Sequence, residues 1–251
     1  MQKVWSTHSY YEKAEKGSMD LGHPGMKLLI NLSKSSKNIL DLGCGEGTRL
    51  RAVGKNCDNS TGVDVSALAL KIAAKNNPKA RFIKTDLTNL PFKDSEFDLV
   101  YSAYVFEHLT NPNKSLKEAL RVTRKNLVIM CPNYGSPNRS SPNYKKSRFK
   151  KLINGTISDF SEKTVESWEK VKPSENGDYR MDNDTTVEPY ILSLLNSLKQ
   201  MGMSIKYWDT CWGYELPNAK IHQRVFRILA NLKIFPFKYW GPHVVVHAVK
   251  S

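Results

Sequence analysis

Short apolar runs alternate with amphipathic segments along the first half of the chain. Each run has the length and composition of a buried strand, and the runs lie at residues 38–42, 61–65, 81–84, 97–102 and 127–131. Ser66 caps a helical pattern that ends near Asn76, and Asn111-Pro112 supplies the cap and first-turn proline of a second helix. Strands that alternate with helices predict right-handed crossovers and a mostly parallel sheet with helices on both faces.

The pattern changes after the fifth run. Residues 133–185 are rich in Asn, Ser, Lys and Pro and show weak periodicity, which predicts an insertion. Thr185-x-x-Glu188 predicts a capping box for a helix that Gly202 ends. The remaining predicted elements are a strand near 204–208, a helix near 220–232, an aromatic loop over 235–240 and a strand near 243–249.

Composition narrows the class of protein. The chain has 251 residues, of which 40% are hydrophobic and 25% charged, so it can bury a core and is not wholly disordered. No apolar run approaches the ~18 residues of a membrane-spanning helix, and the polar segment 1–10 carries no signal-peptide pattern. We therefore expect a cytoplasmic protein whose four scattered cysteines are free thiols and form no zinc site.

The clearest motif follows the first predicted strand. It reads Asp41-Leu42-Gly43-Cys44-Gly45-Glu46-Gly47-Thr48, and glycines in such a turn let the backbone approach a ligand closely. A dinucleotide loop would need glycine at the position of Thr48, and a Walker loop would need Gly-Lys-Ser/Thr. The pattern G-x-G-x-G preceded by Asp fits at every position. For the motif taken alone, the alternative to a ligand-binding loop is an ordinary glycine turn between a strand and a helix.

Two carboxylates follow the next two predicted strands. Asp64 ends the second strand, where it can accept both hydroxyls of a ribose. Asp86 follows the third strand, where it can accept an adenine amino hydrogen while Leu87 covers the ring. The alternatives are a solvated strand end for Asp64 and a helix cap or turn for Asp86. Ligands of open α/β sheets bind at the carboxyl ends of strands, so the three strand ends together predict a nucleoside site.

A family resemblance rests on six short segments. They are Ile39–Gly47, Gly62–Ser66, Thr85–Leu87, Leu90–Phe92, Phe97–Val100 and Phe106–Leu109. Through them residues 38–131 resemble the class I S-adenosylmethionine-dependent methyltransferases, within the group of ubiquinone-type and other small-molecule methyltransferases. The resemblance implies an α/β, Rossmann-like, doubly wound sheet of seven mostly parallel strands, with a polar insertion after the fifth. The last strand, near 243–249, would run antiparallel between those at 127–131 and 203–208.

The resemblance also implies a domain organisation, a single methyltransferase domain over residues 1–251. Its parts are N-terminal lid helices at 1–34, a cofactor-binding core at 35–132, an insertion or substrate cap at 133–185 and the C-terminal part of the sheet at 186–251. Within the lid, Tyr10 or Tyr11 would touch the cofactor.

The implied cofactor is S-adenosylmethionine, with S-adenosylhomocysteine as the product and no metal. Gly43, Gly45 and Gly47 would wrap the methionine portion, with Asp41 near its amino group. The implied ribose and adenine contacts are Asp64, Val65, Asp86 and Leu87. Ser102 and Ala103 would lie beside the methyl sulfonium, and Cys44 completes the implied cofactor-binding set.

The sulfonium already activates the methyl group. An oxygen acceptor that does not ionise by itself also needs a group that removes its proton. His108 is the candidate general base because it follows the fourth strand and titrates near neutrality. Glu107 is a lesser candidate, and a structural histidine that starts a helix is the alternative. The candidate acceptor-binding residues are Tyr104, Tyr134, Trp212 and Tyr214.

The net charge of +14 favours polyanionic surroundings without choosing among RNA, anionic lipid and a phosphorylated substrate. Basic side chains concentrate at Arg139, Lys145, Lys146, Arg148, Lys150 and Lys151, and at Lys220, Arg224 and Arg227. The last three lie beside an apolar stripe of Ile221, Val225, Ile228, Leu229 and Leu232. This helix could rest on an anionic membrane or follow RNA phosphates, but the favoured interpretation packs it on the sheet with a solvated charged edge.

The sequence thus predicts a methyltransferase that acts by in-line displacement on a small-molecule or lipid-linked acceptor, preferably at oxygen. The alternatives are an RNA methyltransferase that uses the basic surfaces and a protein that binds the cofactor without transferring the methyl group. We expect a cytoplasmic monomer or homodimer, with peripheral contact to an anionic membrane or RNA as a further option.

Overall fold

The structure is a computed structural model, and it describes residues 11, 21–136, 163–171, 185–211 and 221–250. These residues fall into two compact units. The first unit comprises the described parts of Met1–Val105, Asn113–Val128 and Val249–Ser251, and the second comprises those of Phe106–Pro112 and Ile129–Ala248.

The described residues contain nine strands and six α-helices. The strands are β1 (Asn38–Leu42), β2 (Asn59–Asp64), β3 (Arg81–Lys84), β4 (Phe97–Ala103), β5 (Thr123–Pro132), β6 (Glu169–Lys170), β7 (Val187–Glu188), β8 (Met203–Cys211) and β9 (His243–Lys250). The helices are α1 (Pro24–Ser33), α2 (Thr48–Val53), α3 (Ala67–Asn76), α4 (Pro112–Val122), α5 (Ile191–Gln200) and α6 (Ile221–Asn231). None of these described helices has the length and apolar character that crossing a bilayer requires.

Seven strands form the main sheet, in the order β3-β2-β1-β4-β5-β9-β8. Strand β1 pairs in parallel with both β2 and β4, and β2 pairs in parallel with β3. The place of β9 between β5 and β8 confirms the prediction for the last strand, and the sheet is mixed, with antiparallel pairing towards this end. The predicted Rossmann-like α/β sheet is therefore confirmed.

The first unit follows its local sequence patterns closely. Strands β1 and β4 are almost completely buried, as expected for the central strands of a parallel sheet. The Ser66 hydroxyl accepts a hydrogen bond from the Ala69 N–H at 3.2 Å and so caps α3. Helix α4 begins at Pro112, as its proline predicts. Here local chemistry and the tertiary fold agree.

The second unit departs from the prediction at the start of α5. Thr185 and Glu188 form no capping box, because Val187 and Glu188 belong to β7, which pairs antiparallel with β6. The Glu188 carboxylate accepts the hydroxyl hydrogen of Tyr190 at 3.0 Å instead, and α5 begins at Ile191. The local pattern of this segment predicts a helix start, but pairing with β6 makes the segment a strand instead.

Helix α6 also departs from the favoured interpretation, in which its apolar stripe packs on the sheet. The exposed fractions are 81% for Ile221, 44% for Val225, 59% for Ile228 and 65% for Leu232. Another side of the helix makes the packing contacts: the Phe226 ring lies 5.2 Å from that of Phe237 and 6.4 Å from that of Trp240. Aromatic rings from the following loop thus hold α6, which leaves its apolar stripe facing outwards.

Candidate functional site

A glycine loop joins β1 to α2 and is anchored to the end of β2. The N–H groups of Gly43 and Cys44 both donate to the carbonyl oxygen of Val63, at 2.8 and 2.9 Å. Gly43, Gly45 and Gly47 have φ angles of 74°, 53° and 80°, in the left-handed region that glycine adopts without steric strain. The backbone path of the loop therefore depends on its glycines.

The three glycines differ in what surrounds them. A Cβ atom at Gly43 would lie 2.5 Å from a methyl carbon of Val105, and one at Gly47 would lie 2.8 Å from the side-chain nitrogen of Asn77. Among the described residues, a Cβ at Gly45 would meet only the Tyr11 ring, at 3.9 Å. Gly43 and Gly47 thus pack against protein, whereas at Gly45 the described part of the chain leaves room for a Cβ atom.

Asp64, at the end of β2, ties the glycine loop to the turn before α3. Its two carboxylate oxygens accept hydrogen bonds from the Gly45 N–H at 3.0 Å and from the Ser66 N–H at 2.8 Å. Burial raises the pKa of Asp64, and these hydrogen bonds oppose the rise. The Val65 N–H is a third donor to this carboxylate, and because a carboxylate has about four acceptor positions, about one remains for a ligand. The next residue, Val65, is an exposed apolar side chain that such a ligand would cover.

Asp41 lies in β1 opposite Tyr101 of β4. The Tyr101 hydroxyl donates to Asp41 Oδ2 at 2.9 Å, and both side chains are buried. Burial raises the pKa of Asp41 to about 7, while the Arg49 charge and the Tyr101 hydrogen bond limit the rise. Asp41 therefore changes its charge near neutral pH.

The glycine loop carries an excess of negative charge. After the larger effect of burial, the charges of Glu46 and Asp64 also raise the pKa of Asp41. Burial raises the pKa of the Cys44 thiol as well, and the same three acids raise it further. Acidic groups close enough to raise the pKa values of Asp41 and Cys44 favour a positively charged ligand.

The end of β4 belongs to the same unit. Ser102 is fully buried, and the Arg49 guanidinium donates to the carbonyl oxygen of Ala103 at 3.4 Å. Tyr104 follows with a φ of 61°, which is strained for a residue with a bulky side chain. Its ring lies 5.5 Å from Arg49 Cζ, and its hydroxyl lies 3.5 Å from His23 Nε2. Strain of this kind concentrates at functional sites.

Asp86 forms a turn with one of its two carboxylate oxygens. Oδ1 accepts a hydrogen bond from the Thr88 N–H at 2.7 Å, and this bond is the main reason that the pKa of Asp86 is lowered. The turn that was the alternative for Asp86 is therefore present, and the Thr88 hydroxyl donates a further hydrogen bond to the carboxylate. The neighbouring Leu87 is buried.

His108 and Glu107 lie in the second unit, in the 3₁₀ turn Phe106–His108. His108 Nε2 lies 3.8 Å from Glu107 Oε1, with the glutamate buried and the histidine partly exposed. The Glu107 carbonyl oxygen accepts hydrogen bonds from the N–H of Thr186 at 2.7 Å and from its hydroxyl at 3.2 Å. The segment before β7 thus fixes the turn that carries the candidate base.

The acceptor-binding candidates are only partly described. Tyr134 is buried, and its hydroxyl lies 3.5 Å from that of Thr185. The candidates Trp212 and Tyr214, the possible lid residue Tyr10 and the basic residues at 139–151 lie outside the described residues. Within the described ranges, no group of three or more His, Cys, Asp or Glu side chains could hold a metal ion.

Four residues of the site were missed by the sequence analysis: Tyr101, Arg49, Thr48 and His23. The Thr48 hydroxyl, at the start of α2, is buried without a hydrogen-bond partner among the described residues. Tyr101 precedes a predicted site residue, but only the register of β1 against β4 brings it opposite Asp41. For Tyr101, Arg49 and Thr48 the one available signal was their nearness in sequence to predicted site residues.

Residues 40–131 match a family described as Methyltransferase domain. A demethylmenaquinone methyltransferase of Paenarthrobacter aurescens is 31% identical over 104 residues, which cover 41% of this chain and 41% of that protein. A norajmaline N-methyltransferase of Rauvolfia serpentina is 35% identical over 115 residues, covering 43% and 39%. The chain thus spans about two fifths of the length of these relatives. A malonyl-[acyl-carrier protein] O-methyltransferase of Pectobacterium atrosepticum is 25% identical over 197 residues, covering 71% and 69%.

Solved structures share the fold. An S-adenosylmethionine-dependent methyltransferase of Mesorhizobium loti has a TM-score of 0.61 at 15% identity, covering 91% of this chain and 99% of that chain. Geranyl diphosphate C-methyltransferase of Streptomyces coelicolor, solved with Mg²⁺, geranyl diphosphate and S-adenosyl-L-homocysteine, has a TM-score of 0.55 at 11% identity, covering 97% and 82%. At these identities the similarity concerns the fold alone.

Proposed function

We propose that this chain, a member of the class I S-adenosylmethionine-dependent methyltransferase superfamily, transfers a methyl group to an oxygen atom of a small-molecule or lipid-linked acceptor. The observation that carries the proposal is the hydrogen bond from the Gly45 N–H to Asp64, at 3.0 Å. This bond joins the glycine loop to the carboxylate at the end of β2. A cofactor bound there would lie close to the loop backbone, and one of its ribose hydroxyls could donate to Asp64.

The residues of the first unit fit S-adenosylmethionine. Its ammonium and sulfonium charges match the acidic groups Asp41, Glu46 and Asp64. The charges of Glu46 and Asp64 raise the pKa of Asp41, which indicates negative charge around it. The room that the described residues leave at Gly45 would accommodate the chain of the cofactor close to the backbone. When bound, the cofactor supplies a methyl group that is already activated for displacement. The protein therefore has to orient an acceptor and exclude water.

The names of the relatives support the proposed acceptor class. They methylate demethylmenaquinone, norajmaline and a malonyl group on acyl carrier protein, which are small or carrier-linked molecules. The relative that matches 71% of this chain is named an O-methyltransferase. The three names support an acceptor of low molecular mass or one linked to a carrier. The O-methyltransferase name supports oxygen, whereas the norajmaline enzyme is named an N-methyltransferase.

His108 is our proposed general base. Its imidazole would take the proton of an acceptor hydroxyl, and the Glu107 carboxylate at 3.8 Å would stabilise the imidazolium that results. The backbone hydrogen bonds between Thr186 and Glu107 support this role, because they fix the turn that presents both side chains. Tyr104, strained and close to Arg49, is our proposed acceptor contact in the first unit.

The test is transfer of labelled methyl groups. The purified protein would be incubated with methyl-labelled S-adenosylmethionine and an extract of its source organism, and the small-molecule, lipid, protein and RNA fractions would then be separated. We expect label in the small-molecule or lipid fraction. At a cofactor concentration below saturation, the variant Asp64→Asn should strongly reduce the labelling, whereas Asp58→Asn, which removes an exposed carboxylate, should keep it. Label that RNase releases, or no label despite measured cofactor binding, would contradict the proposal.

A further inference from the structure

Helix α6 presents an outward apolar stripe, which we call the α6 stripe. It consists of Ile221, Val225, Ile228 and Leu232. Successive members are four, three and four positions apart, the spacing of a single helix face. Six of the nine large hydrophobic side chains that are exposed among the described residues lie between 221 and 235, because Ile234 and Phe235 extend the stripe. Such a concentration of exposed apolar surface marks an interaction site.

The packing of α6 within its own unit does not use the α6 stripe. The opposite side of the helix is already occupied, since Phe226 contacts the rings of Phe237 and Trp240. Phe237 and Trp240 also contact each other, with ring centroids 5.2 Å apart. The aromatic contacts fix the orientation in which the stripe faces outwards.

Positive charge flanks the α6 stripe. Arg224 and Arg227 lie on the same helix, and from Pro217 to Ser251 the sequence contains six basic residues and no acidic residue. Lys233 follows the helix, although it also faces Asp209 of β8. An apolar stripe beside arginines complements a partner that has an apolar layer beneath an anionic surface.

Aromatic residues with polar edges lie next to this helix. Trp208 and Tyr239 stack with a centroid distance of 5.3 Å and an angle of 8°, and the Lys238 ammonium lies 4.7 Å from the Tyr239 centroid. Tryptophan and tyrosine are enriched where a membrane meets water, because one part of the ring is apolar and another is polar. The combination favours a bilayer surface over a purely polar partner.

We propose that the α6 stripe docks α6 in the plane of an anionic lipid bilayer. The helix has 11 residues, too few to cross the hydrocarbon core, so it lies in the interface. The arginines meet lipid phosphates while Ile221, Val225, Ile228 and Leu232 enter the acyl boundary. The docking is independent of the methyl-transfer proposal, because it uses none of the cofactor or acceptor residues.

The experiment measures binding of the full chain to vesicles by flotation. The probes are vesicles of equal parts phosphatidylglycerol and phosphatidylcholine, and vesicles of phosphatidylcholine alone. We expect binding to the anionic vesicles and at least about tenfold weaker binding to the neutral ones, from loss of the charge attraction. Leu232→Ser should weaken binding to the anionic vesicles about tenfold, because the variant loses the favourable transfer of a leucine side chain from water into the bilayer.

Leu21→Ser is the matched control, since Leu21 is also an exposed leucine but lies in the first unit. It should bind as the unmodified protein does, and unaltered circular dichroism of both variants would exclude misfolding as the cause. Absence of binding to anionic vesicles, or equal losses in the two leucine variants, would overturn the proposal. Two other results would also overturn it. If the protein dimerises without lipid and Leu232→Ser abolishes the dimer, the stripe binds a second copy of the chain. If the protein binds RNA and Arg224→Gln abolishes this binding while Leu232→Ser does not, the helix binds RNA.

Discussion

The Tyr101 hydroxyl donates a 2.9 Å hydrogen bond to the Asp41 carboxylate across the pairing of β4 with β1. Both side chains are buried, and the bond is one of two interactions that keep the pKa of Asp41 from rising above about 7. Tyr101 therefore adjusts the charge of the carboxyl group that we propose receives the cofactor's ammonium group.

The first prediction concerns the pH dependence of cofactor affinity. Below about pH 7 Asp41 is largely protonated, so the affinity for S-adenosylmethionine should rise with pH and level off above about 7. Tyr101→Phe removes a hydrogen bond that lowers the pKa of Asp41, so the plateau should move to higher pH. Calorimetric titrations between about pH 5 and about pH 9 would measure both curves.

Tyr207→Phe is the matched control for this prediction. The Tyr207 hydroxyl donates to Asp209 at 3.4 Å in the second unit, and its removal should leave the affinity profile unchanged. If the affinity of Tyr101→Phe for S-adenosylmethionine has the same pH dependence as that of the unmodified protein, ionisation of Asp41 does not control cofactor binding.

The same carboxyl group predicts a pH dependence of stability. The pKa of Asp41 rises from its ordinary value of 3.8 to about 7 on folding, so the folded state holds its proton more tightly than the unfolded state. The free energy of unfolding should therefore fall as pH rises between about 4 and about 7. Urea unfolding of the cofactor-free protein should show this slope, and Asp41→Asn should make it shallower. An equal slope in the variant would contradict the assignment.

A third prediction separates the two roles of the loop glycines. Gly43→Ala, Gly45→Ala and Gly202→Ala each place a side chain at a positive φ, which costs about 1–2 kcal/mol. Gly43→Ala adds a clash with Val105 and should lose about 1–3 kcal/mol more, whereas Gly202 has open space around it. Gly45→Ala should resemble Gly202→Ala in stability but lose cofactor affinity. Urea unfolding together with calorimetry distinguishes these outcomes.

A fourth prediction tests the ribose contact. Asp64→Ala should weaken S-adenosylmethionine binding by about 2 kcal/mol or more, as for the loss of a buried hydrogen bond to a charged group. Asp58→Ala, at an exposed position of the same unit, should leave the affinity unchanged. Calorimetry on the two variants makes the comparison, and equal affinities would remove Asp64 from the site.

A fifth prediction addresses His108. His108→Gln should lower turnover on the identified acceptor and leave the affinity for S-adenosylmethionine unchanged, because a general base acts on the acceptor proton. His222→Gln, at an exposed histidine of α6, serves as the control. Turnover equal to that of the unmodified protein would assign His108 a structural role only.

The sequence by itself determined the features that depend on neighbouring residues. The Ser66 cap, the Pro112 helix start and the glycine loop all follow from the conformational preferences of a few adjacent side chains, and the structure contains each of them. The strand-helix alternation is likewise local, so a mostly parallel α/β sheet was predictable from the residues. The place of the last strand was expected only from the family resemblance.

Only the tertiary structure decided which side chains meet across the sheet and which faces remain outside. Tyr101 reaches Asp41 because strand register sets them opposite each other, and Thr185 joins no capping box because β6 pairs with the following residues. The apolar pattern of α6 is the same whether the stripe is buried or exposed. Contacts of Phe226 with the loop that follows the helix decided that it faces outwards. Such pairings depend on residues far apart in the chain, and no local periodicity encodes them.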